Sequence, residues 1–401
     1  MSSKPIASRL AFAWSTIGLA NGAYTPFFGA WLAWRGLDPV QIGTLVTAGY
    51  LLRAAVAPVT GIVADARNDR RSMMILLQIL IFTGYAALNF VRAPELIFIA
   101  AVLSAVLSGA ALPLLESVSV RLARHFGFDY GHVRLCASGL FIAGNVVSGF
   151  AVSHLGLGII APWMTVALLL NLIAVWILPR AKPGVTRSLK AGLRHTLSEA
   201  RELLGVPVFL IFVVAASLDQ GSHAFYYTYG GMHLTKLGYS GMLIGIIWPL
   251  GVFVEIVFFS YSRTMFRKLG AVKLLLLGAL ACTLRWTIMG FNPPLPLVIV
   301  AQILHGATFS LAHLGAMYFI AEAVPPRLAA TAQSLYLVCW SVSMGLASLA
   351  AGFFYESYGG ATYFLMAAMG FGAVLLSLLL MRLWHGARII GVDCVEIHDT
   401  V

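Results

Sequence analysis

Charge is scarce in this chain. Of its 401 residues only 10% are Asp, Glu, Lys or Arg, and the 15 acids are outnumbered by 26 bases. Soluble domains carry about 25% charged residues and about 45–50% apolar ones. Here 60% of residues are hydrophobic and the mean hydropathy is +0.89. A compact soluble domain of this size needs a mostly polar surface, so the shortage excludes a soluble enzyme and a disordered chain. Cysteine is equally sparse. Cys136, Cys282, Cys339 and Cys394 are far apart, with no C-x-x-C pair and no histidine spacing suited to zinc. That excludes a disulfide scaffold and leaves no metal site to expect. Regular polar–apolar alternation is missing, which excludes an outer-membrane barrel. No H-E-x-x-H, G-x-S-x-G or P-loop occurs, so neither an intramembrane enzyme nor a nucleotide-driven device is supported.

Long apolar runs are what the sequence does have. Stretches near 10–34, 40–64, 72–91, 95–120, 135–153 and 159–179 suit membrane spans. So do 206–232, 241–261, 271–290, 296–321, 328–354 and 360–383. A helix crosses the hydrocarbon core with about 20 residues. The expectation is therefore an all-α membrane protein with twelve transmembrane helices. Lys4 and Arg9 precede the first run as in a signal peptide, but that run reaches Trp34 without a small-residue cleavage site.

The basic residues set the orientation. With the N-terminus inside, 20 of 26 Lys and Arg fall on the cytoplasmic side and three (Arg35, Arg92, Lys236) outside. The remaining Arg53, Arg134 and Arg285 lie within or at the edge of spans. The positive-inside rule then places both termini in the cytoplasm. It also accounts for the net charge of +11 without nucleic acid as a partner. Residues 180–205 hold six basic and two acidic side chains and divide the spans into two sets of six. Within them, Leu189–Leu204 has the pattern of an amphipathic helix for the anionic inner leaflet. The expected organisation is an N-terminal bundle (1–179), a cytoplasmic linker (180–205), a C-terminal bundle (206–384) and a cytoplasmic tail (385–401). Two such halves characterise duplicated transporters.

After span 2 comes Gly61-Ile-Val-Ala-Asp65-Ala-Arg67-Asn-Asp69-Arg70-Arg71. This resembles the G-x-x-x-D-(R/K)-x-G-(R/K)-(R/K) loop of the major facilitator superfamily, with Ala66 and Asn68 departing from it. Glu116 in span 4, followed by Gly131-His-Val-Arg134 at the start of span 5, is similar to a pair that the lactose-permease-like branch uses in substrate binding. As opposite charges toward the inner ends of consecutive antiparallel spans, Glu116 and Arg134 are also expected to meet as an ion pair. Residues 221–233 (GSHAFYYTYGGMH), 284–290 (LRWTIMG) and 301–317 (AQILHGATFSLAHLGAM) look like the 3-phenylpropionate permease family. The resemblance implies the major facilitator fold, two pseudo-symmetric six-helix bundles working by alternating access. It also implies a proton-coupled importer in the inner membrane of a bacterium, a monomer driven by the proton gradient with no cofactor.

An ionisable side chain at the bilayer centre costs about 2.5–3.5 kcal/mol on insertion scales, which makes each one a functional candidate. Arg53, Glu116, Asp219, His223, Glu255, Arg285, His305 and His313 are such groups. His223 follows Asp219 by four residues, which puts the two on one helical face. Unlike the lactose-permease pattern, span 10 has no acid a turn beyond its histidines, since Thr308 and Phe309 stand there. Asp219 or Glu255, with His313 nearby, is then expected to carry the proton. One of the two carboxylates would pair with Arg285 until an anionic substrate takes the guanidinium bidentately. The expected substrate-binding residues are Asn21, Tyr24, Glu116, Arg134, His223, Arg285, His305, Tyr336 and Trp340. Gly61, Asp65, Arg70 and Arg71 would serve the conformational change. Gly18, Gly22, Gly139, Gly144 and Gly149 suit close helix contact.

Arg134 and Arg285 favour an anionic solute such as an aromatic monocarboxylate. Glu116 favours the hydroxyl groups of a sugar or nucleoside. Efflux of toxic compounds in exchange for protons is the alternative of another kind.

Overall fold

In a computed structural model, described over residues 3–66, 69–179 and 189–391, every regular element is helical. The side chains of residues 3, 62, 65–66 and 189–195 lie outside that description. The first six helices are α1 (Ser3–Trp34), α2 (Pro39–Ala66), α3 (Arg70–Ala87), α4 (Pro94–Phe126), α5 (Tyr130–Leu155) and α6 (Ile160–Trp176). Next is α7 (Leu189–Leu204), over the stretch read as amphipathic. The remainder are α8 (Pro207–Gly221), α9 (Ala224–Lys236), α10 (Gly241–Ile247), α11 (Leu250–Ser260) and α12 (Ser262–Leu269), then α13 (Ala271–Gly290), α14 (Leu295–Ala323), α15 (Ala329–Tyr358) and α16 (Tyr363–Leu383).

Local chemistry sets several boundaries. Asp69 caps α3 by accepting from Ser72 N at 3.0 Å, and Asp129 caps α5 from Gly131 N at 2.7 Å. Both satisfy amides that a helix start leaves unpaired. Gly127, at φ +69°, closes α4 in the left-handed region. Two expected spans are broken. Residues 206–232 split at Ser222–His223 into α8 and α9, and 241–261 split at Trp248–Pro249 into α10 and α11. Pro249 supplies no amide to the helical ladder, which accounts for the second break.

Nine helical stretches among the described residues are long and apolar enough to cross a membrane. The chain is a multi-pass membrane protein. The expected twelve is a finer number: α1 and α3 fall outside that set, and Pro326–Leu383 runs as one apolar stretch. Polarity is the reason for α3, which opens on Arg70 and Arg71.

Helices α1 to α6 pack mainly on one another, as do α8 to α16 apart from α10, which lies chiefly against α5. The two groups meet along α2 with α15, α5 with α10, and α1 with α9. Glycines permit these approaches. A Cβ at Gly231 would lie 1.6 Å from the Pro26 carbonyl oxygen, and one at Gly245 would lie 2.4 Å from that of Asn145. On α2, a Cβ at Gly43 would lie 2.7 Å from the Ser348 oxygen. All three contacts sit toward the end bearing Trp34, Pro39, Leu155 and Tyr358. Gly18, Gly22, Gly144 and Gly149 are close contacts as expected, whereas Gly139 faces open space.

Candidate functional site

Arg285, on α13, has 0% of its surface exposed. Its Nη1 lies 2.8 Å from His305 Nδ1 on α14, and its Nη2 donates to Gln302 Oε1 at 3.3 Å. The Cζ atom sits 4.1 Å from the ring centre of Trp286 and 4.9 Å from that of Tyr226. Tyr226 donates to the same Gln302 oxygen at 3.0 Å. On its other side, His305 places Nε2 3.0 Å from Glu255 Oε1 on α11. The Tyr227 hydroxyl stands 3.4 Å from that nitrogen. A guanidinium can only donate, so Nδ1 must offer its lone pair. The ring hydrogen is then on Nε2 and is donated to the Glu255 carboxylate. His305 is a neutral bridge between a buried cation and a half-buried acid.

This arrangement corrects the direct pairing expected of Arg285. No ion pair joins it to Glu255 or Asp219 among the described residues. The reason is topological: α11 and α13 both pack on α14, so an α14 side chain comes between them. The shared face of Asp219 and His223 also fails, because the helix breaks between them. His223 caps α9 and turns Nε2 to Thr308 Oγ1 at 2.9 Å, while its Nδ1 meets only the Asp219 backbone oxygen at 3.3 Å. The Asp219 side chain is buried, and neither carboxylate oxygen has a hydrogen-bond partner among the described residues. Ser222 donates to the Asp219 carbonyl at 2.6 Å and accepts from Trp286 Nε1 at 2.9 Å, which ties the break to α13. His313 stacks on Phe309 with ring centres 6.0 Å apart, and no hydrogen bond joins it to Glu255 among the described residues. Of the three expected proton carriers, only Glu255 joins the cluster.

Glu116 and Arg134 do not form the expected ion pair either. Tyr130 donates to Glu116 Oε1 at 2.9 Å, and Arg134 lies over the Trp14 ring at 4.3 Å. Both charged side chains are exposed. The aromatic rings satisfy them separately, something no span-by-span reading of charge reveals. Tyr336 is buried against Phe212, with ring centres 6.3 Å apart, and Trp340 packs on the apolar core. No hydrogen bond or ring contact among the described residues connects either to Arg285.

Asn21 and Tyr24 line a cavity of about 270 Å³ enclosed by α1, α2, α3, α4 and α6. Arg53, Tyr50, Tyr85 and Gln78 share that lining. The three polar neighbours of Arg53 were missed in the sequence, although Tyr50 stands three residues before it, a spacing that puts both on one helical face. At the loop signature, Arg70 donates to Ser117 and Arg71 to the Trp176 carbonyl. Gly61 has open space where a Cβ would lie, so it makes no close helix contact among the described residues. The Asp65 side chain and residues 67–68 lie outside the described residues.

Comparison with known proteins adds the family dimension. Residues 12–366 match the model of the MFS_1 like family. The chain is 29% identical to the "Probable 3-phenylpropionic acid transporter" of Escherichia coli (strain K12), covering 92% of this chain and 96% of that one. It is 27% identical to the maltose permease of Geobacillus stearothermophilus, covering 91% and 92%. Among solved structures, the nucleoside transporter NupG (D323A mutant) superposes with a TM-score of 0.81 at 18% identity, over 95% of this chain and 100% of that one. At that identity the likeness speaks for the fold alone.

Proposed function

Since the chain belongs to the MFS_1 like family and is a membrane transporter, we propose that it takes up a small aromatic monocarboxylate together with protons. In this reading twelve spans form two pseudo-symmetric bundles, residues 1–179 and 206–384, joined by the cytoplasmic linker 180–205. The protein works as a monomer in the inner membrane of a bacterium, with both termini cytoplasmic and the proton gradient as its energy source. The helix contacts at the Trp34 and Tyr358 end then form the outer seal, and the cargo path opens inward.

One observation carries the coupling: the neutral His305 bridge between Arg285 and Glu255. A proton arriving at Glu255 cancels the charge that holds the Nε2–H. The neutral carboxyl still accepts through its carbonyl oxygen, but it polarises the imidazole less, so Nδ1 becomes a weaker acceptor for Arg285. A buried cation with a weakened acceptor favours an anion nearby, so proton and anionic solute strengthen each other's binding. The helix breaks beside this cluster give α9 and α11 pivots for alternating access.

A second reading, uptake of a sugar or nucleoside, is favoured by the exposed Glu116 carboxylate, which accepts hydroxyl donors as it does from Tyr130. Uptake into proteoliposomes separates the readings. Imposed acid-outside gradients should drive accumulation of 3-phenylpropionate, with alkalinisation outside, and not of maltose or uridine. Accumulation of the neutral solutes alone would overturn the carboxylate reading. Export with no gradient-driven uptake of any solute would overturn import in favour of drug efflux.

A further inference from the structure

The fully buried Arg285 already has two acceptors and two aromatic faces, so it can favour an anion nearby without itself holding the cargo's carboxylate. Among the described residues, Arg53 is the only charged side chain lining the cavity enclosed by α1, α2, α3, α4 and α6. Its guanidinium donates to Ser341 Oγ on α15 at 3.3 Å and stacks on Tyr50 at 4.5 Å. No carboxylate pairs with it among the described residues. A half-buried cation within a membrane span and without a counter-charge is costly, so an anionic partner that arrives and leaves fits this position.

The walls match the remainder of such a molecule. Tyr24, stacked on Phe28 with ring centres 4.7 Å apart, joins Tyr50 and Tyr85 around an otherwise largely aliphatic lining. Drug-sized ligands occupy clefts of about 300–1,000 Å³. A cavity of about 270 Å³ therefore suits one ring with a short chain. In the same lining, Gln78 Oε1 and Asn171 Oδ1 are buried without a donor among the described residues. Space for the arginine is built in: a Cβ at Gly109 would lie 1.8 Å from Arg53 Cδ.

We infer that the cavity beside Arg53 is the cargo site, with Arg53 binding the carboxylate of a single-ring arylalkanoate and Gln78 and Asn171 accepting from a ring hydroxyl. This rests on the monocarboxylate reading above. The test is calorimetric titration of the full-length protein in nanodiscs with 3-phenylpropionate, 3-(4-hydroxyphenyl)propionate and 3-phenylpropan-1-ol. A hydrogen bond to a charged group is worth about 1.5–3 kcal/mol, so Arg53→Gln should weaken both acids by about 10- to 150-fold. The alcohol should bind Arg53→Gln as it binds wild type, which also shows that the variant is folded. Gly109→Ala, which keeps the charge but pushes it aside, should weaken the acids in the same direction. The hydroxylated acid should bind wild type about 2- to 12-fold tighter than the plain one, one hydrogen bond's worth. Undiminished acid binding by Arg53→Gln would overturn the site while leaving carboxylate transport standing. Wild type that binds neither acid yet accumulates uridine or maltose would instead overturn the cargo reading itself.

Discussion

Replacing Glu255 with glutamine isolates the charge from the geometry of the His305 bridge. Glu255→Gln keeps a carbonyl oxygen as acceptor where His305 Nε2–H now donates at 3.0 Å, so the contact itself can persist. What goes is the negative charge and the ability to take up a proton. With one proton moved per carboxylate, an imposed gradient of one pH unit supplies about 1.36 kcal/mol, which is a tenfold accumulation. Wild type should approach that ratio in proteoliposomes. Glu255→Gln should stay near onefold, with no external alkalinisation, and still exchange labelled for unlabelled solute across a membrane with no gradient. The exchange arm matters because a misfolded variant would lose it too. Tenfold accumulation by Glu255→Gln would refute the proposed proton path, and the His305 bridge would then be structural only.

Other expectations follow from individual contacts. Gly231→Ala puts a methyl into the Pro26 carbonyl and should cost about 1–3 kcal/mol of overpacking. Thermal unfolding in detergent should report it, and Gly139→Ala, inside α5 with open space around it, should leave the midpoint unlowered or raise it slightly. Ser222→Ala strips the buried Trp286 N–H of its acceptor, worth about 1–3 kcal/mol in the same assay. Arg327 donates to both oxygens of Glu202 on α7, at 3.0 and 2.6 Å, and holds that carboxyl below its ordinary range. The pair's contribution is therefore complete above the unfolded carboxylate's pKa of about 4.3 and is lost as pH falls through the lower folded value. Being partly exposed, it is worth under about 1 kcal/mol. Hydrogen exchange in α7, corrected for intrinsic rates, should rise below about pH 4 in wild type. In Arg327→Gln it should be raised already at neutral pH.

The candidate site was half legible in the sequence. Arg285, His305 and Glu255 stand out because ionisable groups are rare in apolar runs, and the rule that flags them needs no coordinates. Their order does not follow from the chain. A reading by charge alone joins Arg285 to an acid, since opposite charges attract, whereas α14 sits between α11 and α13 and inserts an imidazole. Asp219 and His223 illustrate the other failure. Their spacing of four predicts a common face only if the helix continues, and it stops at Ser222. Glu116 and Arg134 were expected to neutralise each other, yet Tyr130 and Trp14 serve them separately, and aromatic rings inside a membrane run look in sequence like ordinary apolar filler.

By itself the sequence determined the solvent. A chain with so few charges and such long apolar runs must put its surface in lipid, and its backbone must then be helical, because a bilayer offers no other partner for amides. It also determined which side chains are too costly to be there by chance. Only the tertiary structure decided who meets whom: that a histidine comes between cation and acid, that Arg53 opens onto a cavity, and that glycines bring the two helix groups together at one end. Helix periodicity fixes directions around a single axis, while contacts depend on how neighbouring axes are placed, and that placement arises from side chains far apart in the chain.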